Sequence, residues 1–325
     1  MSIKSDILKE FEKNKGEVIS GSKLAKDLNV SRTSIWKHIE ELRRDGYEIT
    51  AVTNKGYSLS NNTDLISAEG IIPYLKDDYC NIPIYSYKTL ESTNKTAKEL
   101  TFKNAAHGTV IISEEQTAGR GRLGRSFYSP KNSGIYMSII LKPNLTITDS
   151  VLITTAASVA VCRAIEKTTG IEAKIKWIND IVLNNKKVCG ILTEASTDFE
   201  TGTIENIILG IGINFNTACE DFPEKIQNTA ASLFSKGNSK ISRNILCAAI
   251  INEVLSMSDN LKGHKFIDEY KKRSIVLNKD IIFIRNGVST KAHAFDIQDD
   301  GSLVVKKEDG EITILNSGEI SIRGL

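Results

Sequence analysis

The stretch Gly119-Arg120-Gly121-Arg122-Leu123-Gly124-Arg125 sets three arginines among three glycines, and its reading decides what kind of fold surrounds it. Its letters satisfy G-x-G-x-x-G, the fingerprint of a doubly wound dinucleotide-binding fold, which needs a strand before it and a helix opening inside it. A strand-like run, residues 108–113, does precede it, with Gln116 in between. The next residues, Arg125-Ser-Phe-Tyr-Ser-Pro130, are no helix start, because Pro130 disfavours helical geometry at the residue before it. The dinucleotide reading is therefore rejected. A solvated basic loop is the bland alternative, but such a loop has little need of glycines interleaved with arginines. Glycines let backbone close around a ligand, and guanidinium forks match carboxylate and phosphate. The loop is equipped to hold an anion, or two anions brought together, which points to nucleotide-dependent chemistry on an acid.

Composition narrows the setting. A chain of 325 residues makes about two or three domains. Its net charge of +2 neither demands nor excludes nucleic acid. Five cysteines (Cys80, Cys162, Cys189, Cys219, Cys247) form no C-x-x-C pair, and the four histidines make no ligand pattern with them. An odd, scattered set of this kind fits reduced thiols in a cytoplasm, not a zinc site or a disulfide framework. No early apolar run resembles a signal peptide and no run of apolar residues is long enough to span a bilayer. A cytoplasmic protein with no membrane partner is expected.

Residues 1–62 read as a compact unit by hydrophobic spacing. Ile3, Ile7, Leu8 and Phe11 share a face of a first helix that ends near Gly16. Leu24, Ala25 and Leu28 mark a short second helix with Ser22 as its N-cap, and Asn29-Val30 makes a tight turn. Ser31 caps a third helix. In it Ile35, Ile39 and Leu42 face inward, while Arg32, Thr33, Trp36 and Lys37 project outward from its first half. Gly46 stops it. Residues 47–52 and 57–59 then alternate around the turn signal Asn54-Lys55-Gly56, as a hairpin wing does. Two helices joined by a short turn, the second polar and basic near its start, make a helix-turn-helix, and with the hairpin the unit resembles the winged helix-turn-helix of bacterial regulators. Ser31, Arg32, Thr33, Trp36, Lys37 and Lys55 are its candidate DNA contacts. A helical protein-interaction module is the alternative, with Trp36 packed against the wing. Charge does not choose between them: residues 1–60 hold 11 Lys+Arg and 9 Asp+Glu, an excess of 2.

The polar break Asn61-Asn62-Thr63-Asp64 sets a boundary, after which residues 63–276 form a central domain. Residues 135–141 and 204–213 read as buried strands, and residues 150–167 and 243–255 as apolar helices. Without regular βαβ spacing, these elements point to an α+β domain. Residues 277–325 turn strand-like, with Asp300-Gly301 and Asp309-Gly310 as turn signals, and suit a small barrel.

Four short motifs in the central domain come in order: Glu91-Ser-Thr-Asn94; Gln116 with the arginine-glycine loop; Lys176-Trp-Ile-Asn-Asp180 with Lys187 and Gly190; and Gly210-Ile-Gly-Ile-Asn214. Alone, each has a plainer reading: Ser-Thr-Asn as a helix cap, Lys186-Lys187 as a solvated turn pair, Asn179-Asp180 as a turn, and residues 210–214 as a closely packed buried strand. Together and in order they resemble the biotin–protein ligases, and the N-terminal unit makes the chain similar to the bifunctional members that also repress biotin genes. The resemblance covers nearly the whole chain. It implies an α+β architecture of a winged helix-turn-helix, a central mixed-sheet catalytic domain and a C-terminal SH3-like β-barrel.

It also implies the chemistry. In this family ATP and biotin give biotinyl-5′-adenylate, whose acyl group passes to a lysine of a biotin carboxyl carrier domain. By resemblance, Ser92, Thr93, Asn94 and Gln116 hold the biotin ureido head. Arg120, Gly121 and Arg122 wrap biotin and its carboxylate, and Arg125 organises the adenylate. Lys187 lies near the carboxylate and the α-phosphate, so Lys187, Arg122 and Arg125 are the implied catalytic residues. Phe127, Lys176, Asn179, Asp180 and Asn214 face the nucleotide, with Asp180 as the Mg²⁺ carboxylate. Arg323, in the closing Gly318-Glu-Ile-Ser-Ile-Arg323, either reaches toward ATP or is a surface charge. The sequence departs from the family at Leu123, where a basic residue is usual, at Phe127, where tryptophan is usual, and at Ile178, where proline is usual; altered affinity is the expected result. The loop glycines imply a segment that is disordered without ligand and closes on biotin or adenylate. The implied partners are the carrier domain, biotin operator DNA and a second copy, in a homodimer strengthened by the adenylate. Three rivals stand beside this: a repressor whose enzyme site has decayed, a ligase whose N-terminal module binds protein, and a lipoate or octanoate transferase.

Overall fold

The computed structural model describes residues 2–142, 150–197, 204–261, 265–285 and 287–322. The chain divides into two compact units, Met1–Asn81 with Ile241–Ala248, and Ile82–Lys240 with Ala249–Leu325.

The first unit begins with three helices, α1 (Ile3–Lys13), α2 (Gly21–Asp27) and α3 (Arg32–Asp45). They close over Ile7, Phe11, Leu24, Ile35, Ile39 and Leu42, all nearly or fully buried. The expected periodicities account for each of these. The N-cap of α2 does not fall at Ser22: the helix already starts at Gly21, and Ser20 holds the cap position in extended geometry. Asn29 takes a positive φ in the turn to α3, and Gly46 ends that helix in the left-handed region. Strands β1 (Ile49–Val52) and β2 (Gly56–Leu59) pair antiparallel as the wing. Ile19 and Tyr57 exchange backbone hydrogen bonds of 2.8 and 2.9 Å beside it. Only glycine fits at 56, where φ is +142° and a Cβ would stand 2.0 Å from the Ile19 carbonyl oxygen. A one-turn helix α4 (Ala68–Ile71) comes next, and Asp64 accepts from the guanidinium of the fully buried Arg243 at 3.0 Å and from its backbone N–H at 2.8 Å.

In the second unit the chain runs β3 (Ile84–Tyr87), α5 (Thr93–Thr101), β4 (Val110–Ser113), β5 (Gly134–Leu141), α6 (Ser150–Thr169), β6 (Lys174–Lys176), β7 (Asp180–Leu183), β8 (Lys186–Thr197) and β9 (Ile204–Asn214). The strands form one sheet in the order β3-β4-β5-β9-β8-β7-β6, with β3 and β4 parallel and the other neighbours antiparallel. Continuous apolar runs in β5 and β9 fit strands covered on both faces. Helix α5 covers one face, over Ile111, Ile140 and Ile208. By strand alternation Leu141 and Leu209 point to the other face, where they meet Ile153 and Ala156 of α6. The one-turn α7 (Glu224–Gln227), then α8 (Arg243–Ser258) and α9 (Phe266–Arg273), complete the helices; the first turns of α8 belong to the first unit.

The C-terminal strands β10 (Lys279–Arg285), β11 (Val288–Ile297), β12 (Leu303–Lys307), β13 (Ile312–Leu315) and β14 (Glu319–Ile322) make an antiparallel sheet in the order β13-β12-β11-β10-β14. Both Asp-Gly signals fall in turns between strands, with Gly301 and Gly310 at positive φ. The α+β architecture read from the sequence is the one observed.

Candidate active site

A cavity of about 830 Å³ opens on the α5 face of the second unit's sheet. Its floor includes Gly190, Gly210 and Gly212; Gly210 pairs with the buried Ser138, and Gly212 pairs with Tyr136 and Gly190. The glycines are spaces for neighbours. A Cβ on Gly210 would lie 2.3 Å from Asn94 Oδ1, and one on Gly212 would lie 2.6 Å from the Phe127 ring.

One wall is a chain of hydrogen bonds around the start of α5. Ser92 is the N-cap residue, and Ser92, Thr93 and Asn94 are all buried. Gln116 Oε1 accepts from the Thr93 backbone N–H at 2.9 Å and from its hydroxyl at 3.1 Å, while Gln116 Nε2 donates to Ser129 Oγ at 2.9 Å. Ser138 Oγ lies 2.8 Å from Thr93 Oγ1 and 2.6 Å from Asn94 Oδ1. Asn94 Nδ2 donates to Glu194 at 2.6 Å. Each amide thus has its oxygen and nitrogen ends assigned, and the wall presents neutral donors and acceptors in a fixed pattern.

The arginine-glycine loop folds back on itself. Gly121 N–H donates to the Arg125 carbonyl at 2.7 Å, and Phe127 N–H to the Gly119 carbonyl at 2.9 Å. Leu123 sits at its tip with φ +54° and is 73% exposed, an apolar tip on a basic loop. Arg122 reaches Asn179 Oδ1 at 3.0 Å and the Gly318 carbonyl at 3.4 Å. Phe127 packs edge-on to Tyr136, with ring centroids 6.4 Å apart.

The third wall comes from the hairpin of β7 and β8. Lys187 Nζ stands 2.6 Å from Asp180 Oδ1, both partly exposed to the cavity. Asn179 Nδ2 donates to the Ile191 carbonyl at 2.7 Å, and Asn214 Nδ2 to the Ala231 carbonyl at 3.1 Å. The Trp177–Ile178 peptide is cis. Beside Lys187, Cys189 is fully buried, and burial pushes its thiol well above the ordinary range, so it is no nucleophile.

The cavity therefore gathers Ser92, Thr93, Asn94, Gln116, Arg120, Gly121, Arg122 and Arg125 with Phe127, Lys176, Asn179, Asp180, Lys187 and Asn214. Arg323 lies outside the described residues. Sequence reasoning did not single out Ser129, Ser138 or Glu194, which orient the amides. Ser138 carried a signal, as the one hydroxyl besides tyrosine in an otherwise apolar strand. Among the described lining residues, six are cationic (Arg120, Arg122, Arg125, Lys176, Lys186, Lys187) and Asp180 is the single carboxylate. The arrangement suits a ligand with a neutral polar head at one end and several negative charges at the other.

In the first unit Ser31, Arg32, Thr33, Trp36, Lys37 and Lys55 are all exposed. Trp36 is 54% exposed and is not packed away beneath the wing. Ser31 Oγ accepts from the Ser34 backbone N–H at 3.1 Å and so caps α3.

Comparison with known proteins places this geometry. The Biotin/lipoate A/B protein ligase family matches residues 86–214, an HTH domain matches 4–58, and the Biotin protein ligase C terminal domain matches 276–323. The bifunctional ligase/repressor BirA of Bacillus subtilis (strain 168) is 40% identical over 254 residues, 78% of this chain and 76% of that protein. BirA of Escherichia coli (strain K12) is 28% identical over 312 residues, 95% of this chain and 94% of its own. The Aquifex aeolicus biotin protein ligase solved with biotin and ATP superposes with a TM-score of 0.63 at 26% identity, covering 74% of this chain and 98% of that one. The fold is that of a protein ligase acting on a cofactor acid. More narrowly, the chain belongs to the bifunctional biotin–protein ligase/repressor family.

Proposed function

We propose that this protein is an ATP-dependent biotin–[acetyl-CoA-carboxylase] ligase that also represses biotin genes, with biotinyl-5′-adenylate as corepressor. In the first step a biotin carboxylate oxygen attacks the α-phosphorus of ATP. The bond from that phosphorus to the bridging oxygen breaks, and pyrophosphate leaves. In the second step the neutral amine of a carrier-domain lysine attacks the acyl carbon, the bond to the adenylate oxygen breaks, AMP leaves, and the amine gives up a proton as the amide forms.

The observation that carries this reading is the charge of the cavity, six cations against one carboxylate, beside a wall of oriented neutral groups. Bringing a carboxylate onto a triphosphate is opposed by repulsion, and preorganised cations offset it where charge develops. Ser92, Thr93, Asn94 and Gln116 are assigned to the ureido head, and Arg120, Gly121 and Arg122 to the rest of biotin. Lys187, Arg122 and Arg125 are assigned as the catalytic cations, with Lys187 leaving Asp180 for the carboxylate and α-phosphate. Phe127, Lys176, Asn179, Asp180, Asn214 and Arg323 are assigned to the nucleotide. No group of three or more His, Cys, Asp or Glu able to hold a metal exists among the described residues. Asp180 would supply one protein oxygen to a Mg²⁺ ion arriving with the phosphates, and that ion would screen their charge. The loop closes when biotin or adenylate binds, which shields the mixed anhydride from water.

By function the chain divides into residues 1–62 for DNA reading, 63–276 for catalysis and 277–325 for the C-terminal sheet as an SH3-like barrel. Ser31, Arg32, Thr33, Trp36, Lys37 and Lys55 meet operator DNA. A helix-turn-helix reading two half-sites works as a pair, so the repressing species is a homodimer strengthened by the adenylate, in the cytoplasm. Biotin-dependent exchange of labelled pyrophosphate into ATP tests the enzyme. Exchange is expected; biotin binding without exchange would leave a repressor with a decayed enzyme site.

A further inference from the structure

The segment of residues 176–180 supplies three of the groups assigned to the nucleotide, yet much of what fixes it lies behind the cavity. Ile191 N–H donates to the Asn179 carbonyl at 3.0 Å, and the Trp177 indole donates to the Gly301 carbonyl at 3.0 Å. The Ile178 carbonyl accepts from Tyr270 Oη of α9 at 3.0 Å; Ser158 Oγ of α6 is 3.5 Å away and donates to the Thr154 carbonyl at 2.9 Å. Tyr270 is fully buried, and burial holds its phenol well above the ordinary range, so it stays a donor throughout the working pH range. It lies 92 residues beyond Ile178 and outside all four sequence motifs.

We propose that Tyr270 is a positioning residue for the nucleotide half of the site: its hydroxyl fixes the Ile178–Asn179 peptide and so aims Asn179 and Asp180 into the cavity. The consequence extends to two catalytic cations, because Arg122 donates to Asn179 Oδ1 and Lys187 is held on Asp180. The biotin wall hangs on different partners, at the start of α5 and on β5, and no hydrogen bond from Tyr270 reaches it. Freeing the Ile178 carbonyl therefore disturbs the nucleotide half most and reaches biotin only through Arg122 and Lys187. The proposal rests on the nucleotide reading above.

Tyr270→Phe deletes one oxygen and keeps the ring in place. The expected result is a rise in KM for ATP of about fivefold, the worth of one neutral hydrogen bond, with a smaller rise in Kd for biotin. An unchanged KM for ATP overturns the proposal, and so does an equal loss for both substrates, which is general loosening. A second readout does not need the enzyme reaction. Trp36 and Trp177 are the only tryptophans in the chain, so in a Trp36→Phe background the emission of Trp177 reports on this segment alone. Acrylamide quenching of that emission should increase on adding Tyr270→Phe, at a temperature where the far-ultraviolet dichroism is unchanged; equal quenching overturns the proposal. Absence of pyrophosphate exchange in the parent protein would count against the nucleotide reading, while the quenching comparison still decides whether Tyr270 holds the segment.

Discussion

Gly210 exists for the sake of Asn94. Its missing side chain leaves room for an amide whose oxygen would stand 2.3 Å from a Cβ, and whose orientation is fixed by Ser138 and Glu194. Gly210→Ala must therefore push Asn94 aside, and misplacement on the order of an ångström can cost about 10²-fold. Biotin-dependent pyrophosphate exchange should be slowed by that order; parent-like exchange would remove Asn94 from the site. Glu12 poses a different residue-scale question. It is buried with Oε1 unpartnered, and desolvation raises its pKa against the opposing pull of Lys15. A raised carboxyl pKa means that stability is greatest below the unfolded value and falls as pH rises through the folded one. Glu12→Gln does not titrate, so its stability relative to the parent should grow as pH rises above about 4.5. Urea titrations at pH 4 and pH 8 giving the same difference would contradict this. At this scale the sequence showed the groups that touch a ligand, because their types match its chemistry. It hid Glu194 and Ser129, which act on other residues and are recognisable only once folding brings them near.

Elements defined by periodicity were the most legible. Ile35, Ile39 and Leu42 read as the inner face of α3, and all three are buried there. Cap chemistry was less secure: Ser22 was read as the N-cap of α2, but the helix starts at Gly21, after Ser20. Strand β8 was not read as a strand, because Lys186 and Lys187 at its start look like a solvated turn; in fact Asn184 and Asn185, both at positive φ, make the turn. Two predictions belong to α3. Ser31→Ala removes the acceptor for the Ser34 N–H and should cost about 1 kcal/mol in denaturant unfolding; no loss would mean that water replaces the cap. Arg32→Ala or Lys37→Ala should weaken operator binding and leave pyrophosphate exchange intact, with the salt dependence of binding reduced by about one unit for each phosphate no longer neutralised. Loss of both activities would sink the division of labour between reader and enzyme.

At the scale of the molecule, the sequence read Asn61-Asn62-Thr63-Asp64 as a polar break, and polarity there has a second use. Asp64 holds Arg243, whose side chain is 1% exposed, and Asn244 donates to the Leu65 carbonyl at 2.9 Å while accepting from the Ser67 N–H at 3.1 Å. No local pattern joins positions so far apart, which is why this pairing was illegible. Asp64→Ala takes the carboxylate away from a buried guanidinium, which keeps the backbone carbonyl of residue 64, and should cost about 3 kcal/mol, measurable by urea unfolding; Asp64→Asn, which keeps an acceptor, should cost less.

The same pairing sets an order in time. The first unit takes Ile241–Ala248 from beyond the whole of Ile82–Lys240. A ribosome making this chain releases the three helices and the wing early, and their apolar core is then complete. Asp64, Leu65 and Ser67 must wait for Arg243 and Asn244 until all the intervening strands have been synthesised. A message broken before that point yields a reader with its core assembled and its polar latch open, so the unit is finished only in a chain whose translation has passed through the seven-stranded sheet.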